Sequence, residues 1–158
     1  MKLIELGKGK KVAVDERDYE WLRRYRWVAR KRHRDWYAER KGKKGKRVSM
    51  AREIMGFPEG KIVDHKSGVT LDNRRKNLRI ATQANNQHNQ RRLRVDNTSG
   101  YKGVTFFKPH EKWNAQIYVN MKRVSLGYFK TKEAAARAYD AAAVRYFGEF
   151  AAPNTVLL

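Results

Sequence analysis

The sequence predicts an α+β chain built in two parts, and three observations lead there. Residues 62–90 run strand, loop, strand and helix start, a ββα pattern packed into fewer than about thirty positions. Residues 101–154 hold three stretches that alternate apolar and polar side chains, followed by one Ala-rich helical stretch. Between them lies a polar, partly basic connection that reads as a linker or as a continued basic track. The expected division is a first domain over 1–93 with its ββα core at about 61–93, a linker over 94–100, and a three-stranded antiparallel sheet packed on one helix over 101–154.

Composition narrows the partners. A chain of 158 residues suits one or two small domains. It has no cysteine, which excludes disulfides and thiolate metal sites together. No apolar run approaches the roughly 20 residues needed to span a bilayer. The opening residues MKLIELGKGK lack the apolar stretch of a signal peptide, so a soluble protein of the cytoplasm is expected. Lys and Arg total 37 against 16 Asp and Glu, a formal net charge of +21. The excess is spread along the whole chain, as binding a polyanion across a broad surface requires. A membrane surface is the other polyanion, but no Lys-rich amphipathic helix with an aromatic face serves it. Nucleic acid is therefore the expected partner, and no membrane.

In chain order, residues 11–14 read as a short strand. Asp15 is placed to cap a helix from 16 to about 24, with Tyr19 and Leu22 on an apolar edge. Residues 27–30 and 36–40 read as two strands joined by a basic turn. The stretch 41–47, KGKKGKR, is a positive loop, either a solvated hairpin tip or a track for a phosphate backbone. Residues 48–55 are apolar enough to pack, and 56–60 break the chain.

Residues 62–65 read as a strand whose apolar start is buried and whose Asp64 and His65 emerge. Leu78 lies in a returning strand over 77–80, and Thr82 is placed to cap a helix running to about 92. Phosphodiester hydrolysis needs a water deprotonated and a leaving oxygen stabilised. A neutral imidazole such as His65 suits the first task if a neighbour fixes its tautomer, and the side-chain carbonyl of Asn77 is the expected neighbour. Oxygen donors, Asp64 with the amide of Asn86, favour a hard divalent cation such as Mg²⁺ or Mn²⁺. The residues by themselves leave a plainer alternative: an Asp-His surface turn and an Asn cluster serving caps and turns.

The run V-D-H-K-x-G, L-D-N-R, N-L-R, T-x-x-x-N resembles the HNH endonuclease family, in particular the phage and intron-encoded homing type. The upstream D-Y-E-W-L, Y-R-W and R-E-I-M-G-F-P-E-G resemble that family's lead-in, so the likeness covers most of 10–93. It implies a ββα-metal (His-Me finger) nuclease domain, with His65 as general base and Asn77 orienting it. Asp64 and Asn86 are then the metal ligands, Mg²⁺ (or Mn²⁺) the cofactor and double-stranded DNA the substrate. The implied setting is the cytoplasm of a bacterial host, from a phage- or intron-encoded gene, with a monomer rather than a dimer. Family spacing selects Asn86 over Asn85, His88 and Asn89. Two positions depart from the family pattern: Ala51 stands where His is common, and Val69-Thr70 where an acidic residue is usual.

The second part is expected to form strands over 101–107, 113–119 and 123–129. The last two join at Asn120-Met121, and Thr131 caps a helix over 132–147 that Gly148 stops. Ala135, Ala138, Ala142 and Tyr146 fall on one helical stripe, with Trp113 and Phe129 expected in the core. The pattern Y-K-G-V, K-W-x-A-x-I, R-V-x-L-G-x-F-x-T-x-E-A-A-A-R-A-Y-D-A-A-A resembles the plant ethylene-response-factor DNA-binding domain, which lays its sheet in the major groove. Carried over by position, its contacts fall at Lys102, Thr105, Phe107, Gln116, Tyr118, Arg123, Ser125 and Tyr128. Only Lys102 and Arg123 are basic there, so a different base sequence is expected. Two further functions stay open from the sequence: a DNA-binding regulator with a non-catalytic ββα unit, and a structural RNA-binding protein.

Overall fold

The computed structural model describes residues 1–82, 93 and 95–154. The chain divides into two compact units, 1–84 and 85–158.

The first unit opens with a hairpin of β1 (Lys2–Gly7) and β2 (Lys10–Val14). Sequence reasoning missed β1, although Ile4 and Leu6 alternate inward while Lys2, Leu3 and Glu5 face out. Gly7, Lys8 and Gly9 turn the chain, all at positive φ. Helix α1 (Glu16–Leu22) follows and ends two residues earlier than predicted. A meander of β3 (Val28–Arg32), β4 (Asp35–Lys41) and β5 (Arg47–Ser49) comes next, with β4 central. The positive loop is therefore shorter than expected, because Lys41 and Arg47 pair across the sheet. Helix α2 (Met50–Ile54) leads to the hairpin of β6 (Ile62–His65) and β7 (Leu78–Ala81).

One core joins these pieces. Val12, Val14, Leu22, Met50 and Leu78 are each 3 % exposed or less, with Trp27, Ala29, Ala38 and Ala51 beside them. The β6–β7 hairpin adds few apolar residues of its own and borrows this core, as expected of so small a unit. Ala51 lies within it, so the position where His is common in the resembling family is a packing position here.

The second unit is the expected antiparallel meander, β8 (Val104–Phe107), β9 (Lys112–Val119) and β10 (Lys122–Phe129), with β9 central. Asn120 and Met121 both take positive φ, the backbone of a two-residue hairpin turn. Helix α3 (Lys132–Phe147) packs on one face, capped by the Thr131 hydroxyl, which accepts from the Ala134 N–H at 3.2 Å. Its buried stripe is Ala135, Ala136, Tyr139, Ala142 and Ala143, which includes the predicted Ala135 and Ala142, with the predicted Ala138 half-buried against the core. Tyr146 is 46 % exposed, and Tyr139 takes the inward aromatic place. Gly103 makes room for Tyr139. A Cβ there would stand 2.2 Å from the Tyr139 ring and 2.6 Å from the Gln116 carbonyl, at φ +72°. Trp113 and Phe129 pack against the core as expected.

Candidate functional site

Strand β6 carries Asp64 and His65 at its end, paired in register with Arg79 and Leu78 of β7. The two residues were expected to emerge from the strand. Instead they are 8 % and 6 % exposed, while Ile62 and Val63 are only half-buried. Each is turned inward by a polar partner that compensates its burial.

For His65 that partner is Asn73, whose Oδ1 lies 2.7 Å from Nε2. A carbonyl oxygen only accepts, so Nε2 carries the proton and the lone pair falls on Nδ1. The expected neighbour, Asn77, does something else. Its Oδ1 accepts the Ser67 N–H at 2.9 Å, and its Nδ2 donates to the Asp72 carbonyl at 2.7 Å. Asn77 ties the two ends of the loop together at the base of the hairpin, too occupied to reach the imidazole. Burial pushes the His65 pKa below its ordinary value, against the Asn73 hydrogen bond and the charges of Asp64 and Asp72, which favour protonation. The ring meets Tyr37 of β4 edge to face, centroids 6.4 Å apart.

The loop that carries Asn73 is fixed from the N-terminal segment. The Ala13 N–H donates to the Leu71 carbonyl at 2.9 Å, and the Asn73 N–H donates to the Ala13 carbonyl at 2.8 Å. Asp15 was expected to cap α1, but its side chain makes no cap bond and accepts the Arg75 N–H at 2.8 Å instead. Arg75 also grips Asp18 with Nε and Nη2, each at 2.8 Å. Burial lifts the Asp18 pKa, but the Arg75 bonds, with a smaller one from Trp21, outweigh it and hold the carboxyl below its usual range.

Asp64 is held by Arg79, whose Nε and Nη2 donate to Oδ2 at 2.9 and 2.7 Å. Both partners are buried, a charge-assisted pair across the hairpin. Asn86, the other expected metal ligand, lies outside the described residues, as do Asn85, His88, Asn89 and the helix expected after Thr82. Among the described residues no group of three or more His, Asp or Glu is arranged to hold a metal ion. The donor chemistry at Asp64 nevertheless suits a hard cation: a carboxylate next in sequence to an imidazole, in a chain without a thiol.

In the second unit, alternation along the strands puts Val104, Ala115, Ile117, Val124 and Leu126 against α3. It puts Thr105, Phe107, Gln116, Tyr118, Arg123, Ser125 and Tyr128 on the opposite face, with Arg123 across from Tyr118 and Ser125 across from Gln116. Seven of the eight positions expected to contact DNA thus share one face. Lys102 departs from it: residues 101–103 form a turn ahead of β8, and its ammonium lies 5.9 Å over the ring of Tyr139 on the helix side. Phe107 and Tyr128 extend into a group with His110, the three ring centroids 5.1–5.4 Å apart.

Sequence reasoning passed over Asn73, Arg79 and Tyr37. Asn73 stood in the quoted L-D-N-R run, and Arg79 in N-L-R. Tyr37 carries no motif, and only the fold of the unit brings its ring to His65.

A two-domain protein with an HNH-family domain and an AP2/ERF-like DNA-binding domain is what this geometry and the comparisons with known proteins define. The HNH endonuclease family profile matches residues 48–88 and the AP2 domain profile matches residues 99–149. An uncharacterized HNH endonuclease of Acanthamoeba polyphaga mimivirus is 35% identical over 103 residues, covering 62% of this chain and 52% of that protein. A rice (Oryza sativa subsp. japonica) AP2/ERF and B3 domain-containing protein is 56% identical over 57 residues, 36% of this chain and 15% of that protein. The AP2-like ethylene-responsive transcription factor TOE2 of Arabidopsis thaliana is 47% identical over 60 residues, 38% of this chain and 12% of its own length. The chain thus spans about half of the viral relative and a small part of the plant ones.

Proposed function

We propose that the chain is a site-specific, metal-dependent DNA endonuclease of the homing type. In this proposal a nuclease domain over 1–93 is joined by residues 94–100 to a DNA-reading domain over 101–154. The observation that carries it is the buried His65, its Nε2 proton held by Asn73, with the Asp64 carboxylate adjacent in sequence. His65 Nδ1 takes a proton from water. The resulting hydroxide attacks phosphorus, and the bond to the 3′ oxygen breaks. A divalent cation, Mg²⁺ or Mn²⁺, held by Asp64 and Asn86 would supply charge stabilisation at that leaving oxygen. Arg79 keeps the Asp64 carboxylate oriented, and Asn77 keeps the loop closed. One centre per chain nicks one strand, so a monomer acts as a nickase. In the second domain the outward face with Arg123, Gln116 and Tyr118 supplies target affinity. The viral relative supports a phage or virus-associated origin; action in the cytoplasm of the host cell is part of the proposal.

The test is relaxation of supercoiled plasmid with Mg²⁺ or Mn²⁺, with and without chelator. Metal-dependent nicking that is lost in His65→Ala, with DNA binding retained, supports the enzyme. The Asp64–Arg79 pair favours a second function, a DNA-binding regulator, since it gives Asp64 a structural role that needs no metal. Binding without nicking under both metals selects the regulator.

A further inference from the structure

The meander of the first unit has a face of which the roles above use only Tyr37. Val28, Arg30 and Arg32 of β3 share it with Tyr37, Glu39 and Lys41 of β4 and Arg47 of β5, by the register Val28 to Glu39, Arg30 to Tyr37 and Lys41 to Arg47. Arg30, Lys41 and Arg47 line an open cavity of about 200 Å³ with Glu39 at its wall. All three are exposed and make no ion pair among the described residues. Glu39 is 2 % exposed. Its Oε1 meets Arg32, and its Oε2 has no hydrogen-bond partner. Arg40, also lining the cavity, sends its guanidinium elsewhere, to Glu53 at 2.6 and 2.8 Å and over the Tyr25 ring at 4.3 Å.

A buried carboxylate with an empty oxygen is an expensive feature in a sheet that needs only to pack. Here it sits among cations, offsets their mutual repulsion and holds Arg32, whose guanidinium lies 5.8 Å over the Tyr37 ring. Tyr37 in turn touches the His65 ring. The cations therefore lead, residue by residue within one unit, to the candidate centre. The three stand on three adjacent strands, about 4.7–4.9 Å from one strand to the next, so they spread one patch of positive charge across the face.

We infer that this face is a phosphate-binding track: Arg30, Lys41 and Arg47 take successive backbone phosphates of duplex DNA, on the path that ends at His65. The direction of the path rests on the nuclease proposal. The binding itself does not.

The full chain is titrated with a labelled duplex in chelator, so that no cleavage contributes, at salt from 50 to 200 mM. Removing one cation that neutralises a phosphate lowers the slope of log affinity against log salt by about 0.9, so Arg30→Gln, Lys41→Gln and Arg47→Gln together should lower it by up to about 2.7. A control triple at Lys2, Lys11 and Arg23, which are exposed but ion-paired, should leave the slope unchanged. Should the site triple fail to show native circular dichroism, the single variants Arg30→Gln and Arg47→Gln are each read for a drop of about 0.9. An unchanged slope in folded site variants, or an equal loss in the control, overturns the track. A slope loss in a chain that never nicks would sustain the track and remove the nuclease proposal. Nicking with an unaltered slope would remove the track alone.

Discussion

The Asn73 side chain offers the sharpest test of how the imidazole is held. Asn73→Ala removes the acceptor 2.7 Å from His65 Nε2 and leaves a buried N–H without a partner. Asn73 is itself only 1 % exposed, so water cannot replace the amide without opening the loop. An unsatisfied buried donor costs about 1–3 kcal/mol, and for a domain of this size each kcal/mol lowers the melting temperature by about 4–8 °C. The backbone bonds of Asn73 to Ala13 remain, so the loop should keep its place and the loss should stay within that range. Catalysis should fall further than stability, because the imidazole is then free to take the tautomer with its proton on the attacking side. General-base catalysis is worth about 10²–10⁴ in rate, and a loss within that range is expected in single-turnover nicking of plasmid. Asn73→Asp keeps an acceptor and adds a negative charge, so it should restore most of the rate and raise the pH at which activity declines. If Asn73→Ala nicks within a factor of about two of the parent while melting several degrees lower, Asn73 is a loop residue and the tautomer account fails.

The pH profile follows from the same group. Burial lowers the His65 pKa in the folded chain, so activity should hold as pH falls to 6.5 and decline only below it. An acid limb above 6.5 contradicts a buried base. Stability carries the same sign: between the folded and unfolded values the unfolded chain binds more protons, so urea stability should drop as pH falls below about 6.5, less so in His65→Gln. Arg79→Met strands the Asp64 carboxylate in a buried place and should cost about 3–5 kcal/mol in denaturant melts, whereas Asp64→Leu with Arg79→Met together should recover much of that loss. Gly103→Ala meets both the Tyr139 ring and the Gln116 carbonyl at positive φ, and should destabilise the second unit by about 2–5 kcal/mol in thermal melts. Arg123→Ala removes an exposed cation from the outward sheet face. It should weaken duplex binding by about 1–3 kcal/mol in gel shifts while nicking at saturating protein stays near the parent rate.

What could be read from the sequence divides by the range of the interaction that decides it. The second unit was legible nearly throughout, because its strands alternate over long runs and its helix has a hydroxyl cap at one end and Gly148 at the other. The exception was the buried stripe of the helix. There seven of the sixteen positions are Ala, in runs that leave the period ambiguous, and Tyr139 is chosen by the space over Gly103. In the first unit the elements were mostly found, but the partners within the site were not. Asn73 and Asn77 are both amides in one loop, and no local rule tells which faces the imidazole. The choice is made by Ala13, about sixty residues upstream, whose backbone bonds place Asn73. Asp15 looks like a helix cap by local chemistry, but the Arg75 N–H takes its carboxylate. Asp64 and His65 were expected at the surface because polar residues usually are, and their burial follows from Arg79 and Asn73 supplying the lost hydrogen bonds.

These distant ties explain why so small a hairpin is built into a larger unit. The β6–β7 hairpin offers Leu78 and Ala81 as its fully buried apolar residues, too little to order a twelve-residue connection between His65 and Leu78. Order comes from outside through charge and backbone: β2 pairs with the connection, α1 reaches it through Asp18, and β4 covers His65 with Tyr37. A base must keep one tautomer and one position, and apolar contact fixes neither. Directional bonds fix both, at the cost of burying charge in several places. Asp18, Asp64 and Glu39 are all nearly inaccessible, and each is answered by an arginine. An arginine-rich composition thus serves two ends in the first unit. Some guanidiniums are turned inward to hold carboxylates in place, and Arg30 and Arg47 are left outward, where the sheet can meet a phosphate backbone.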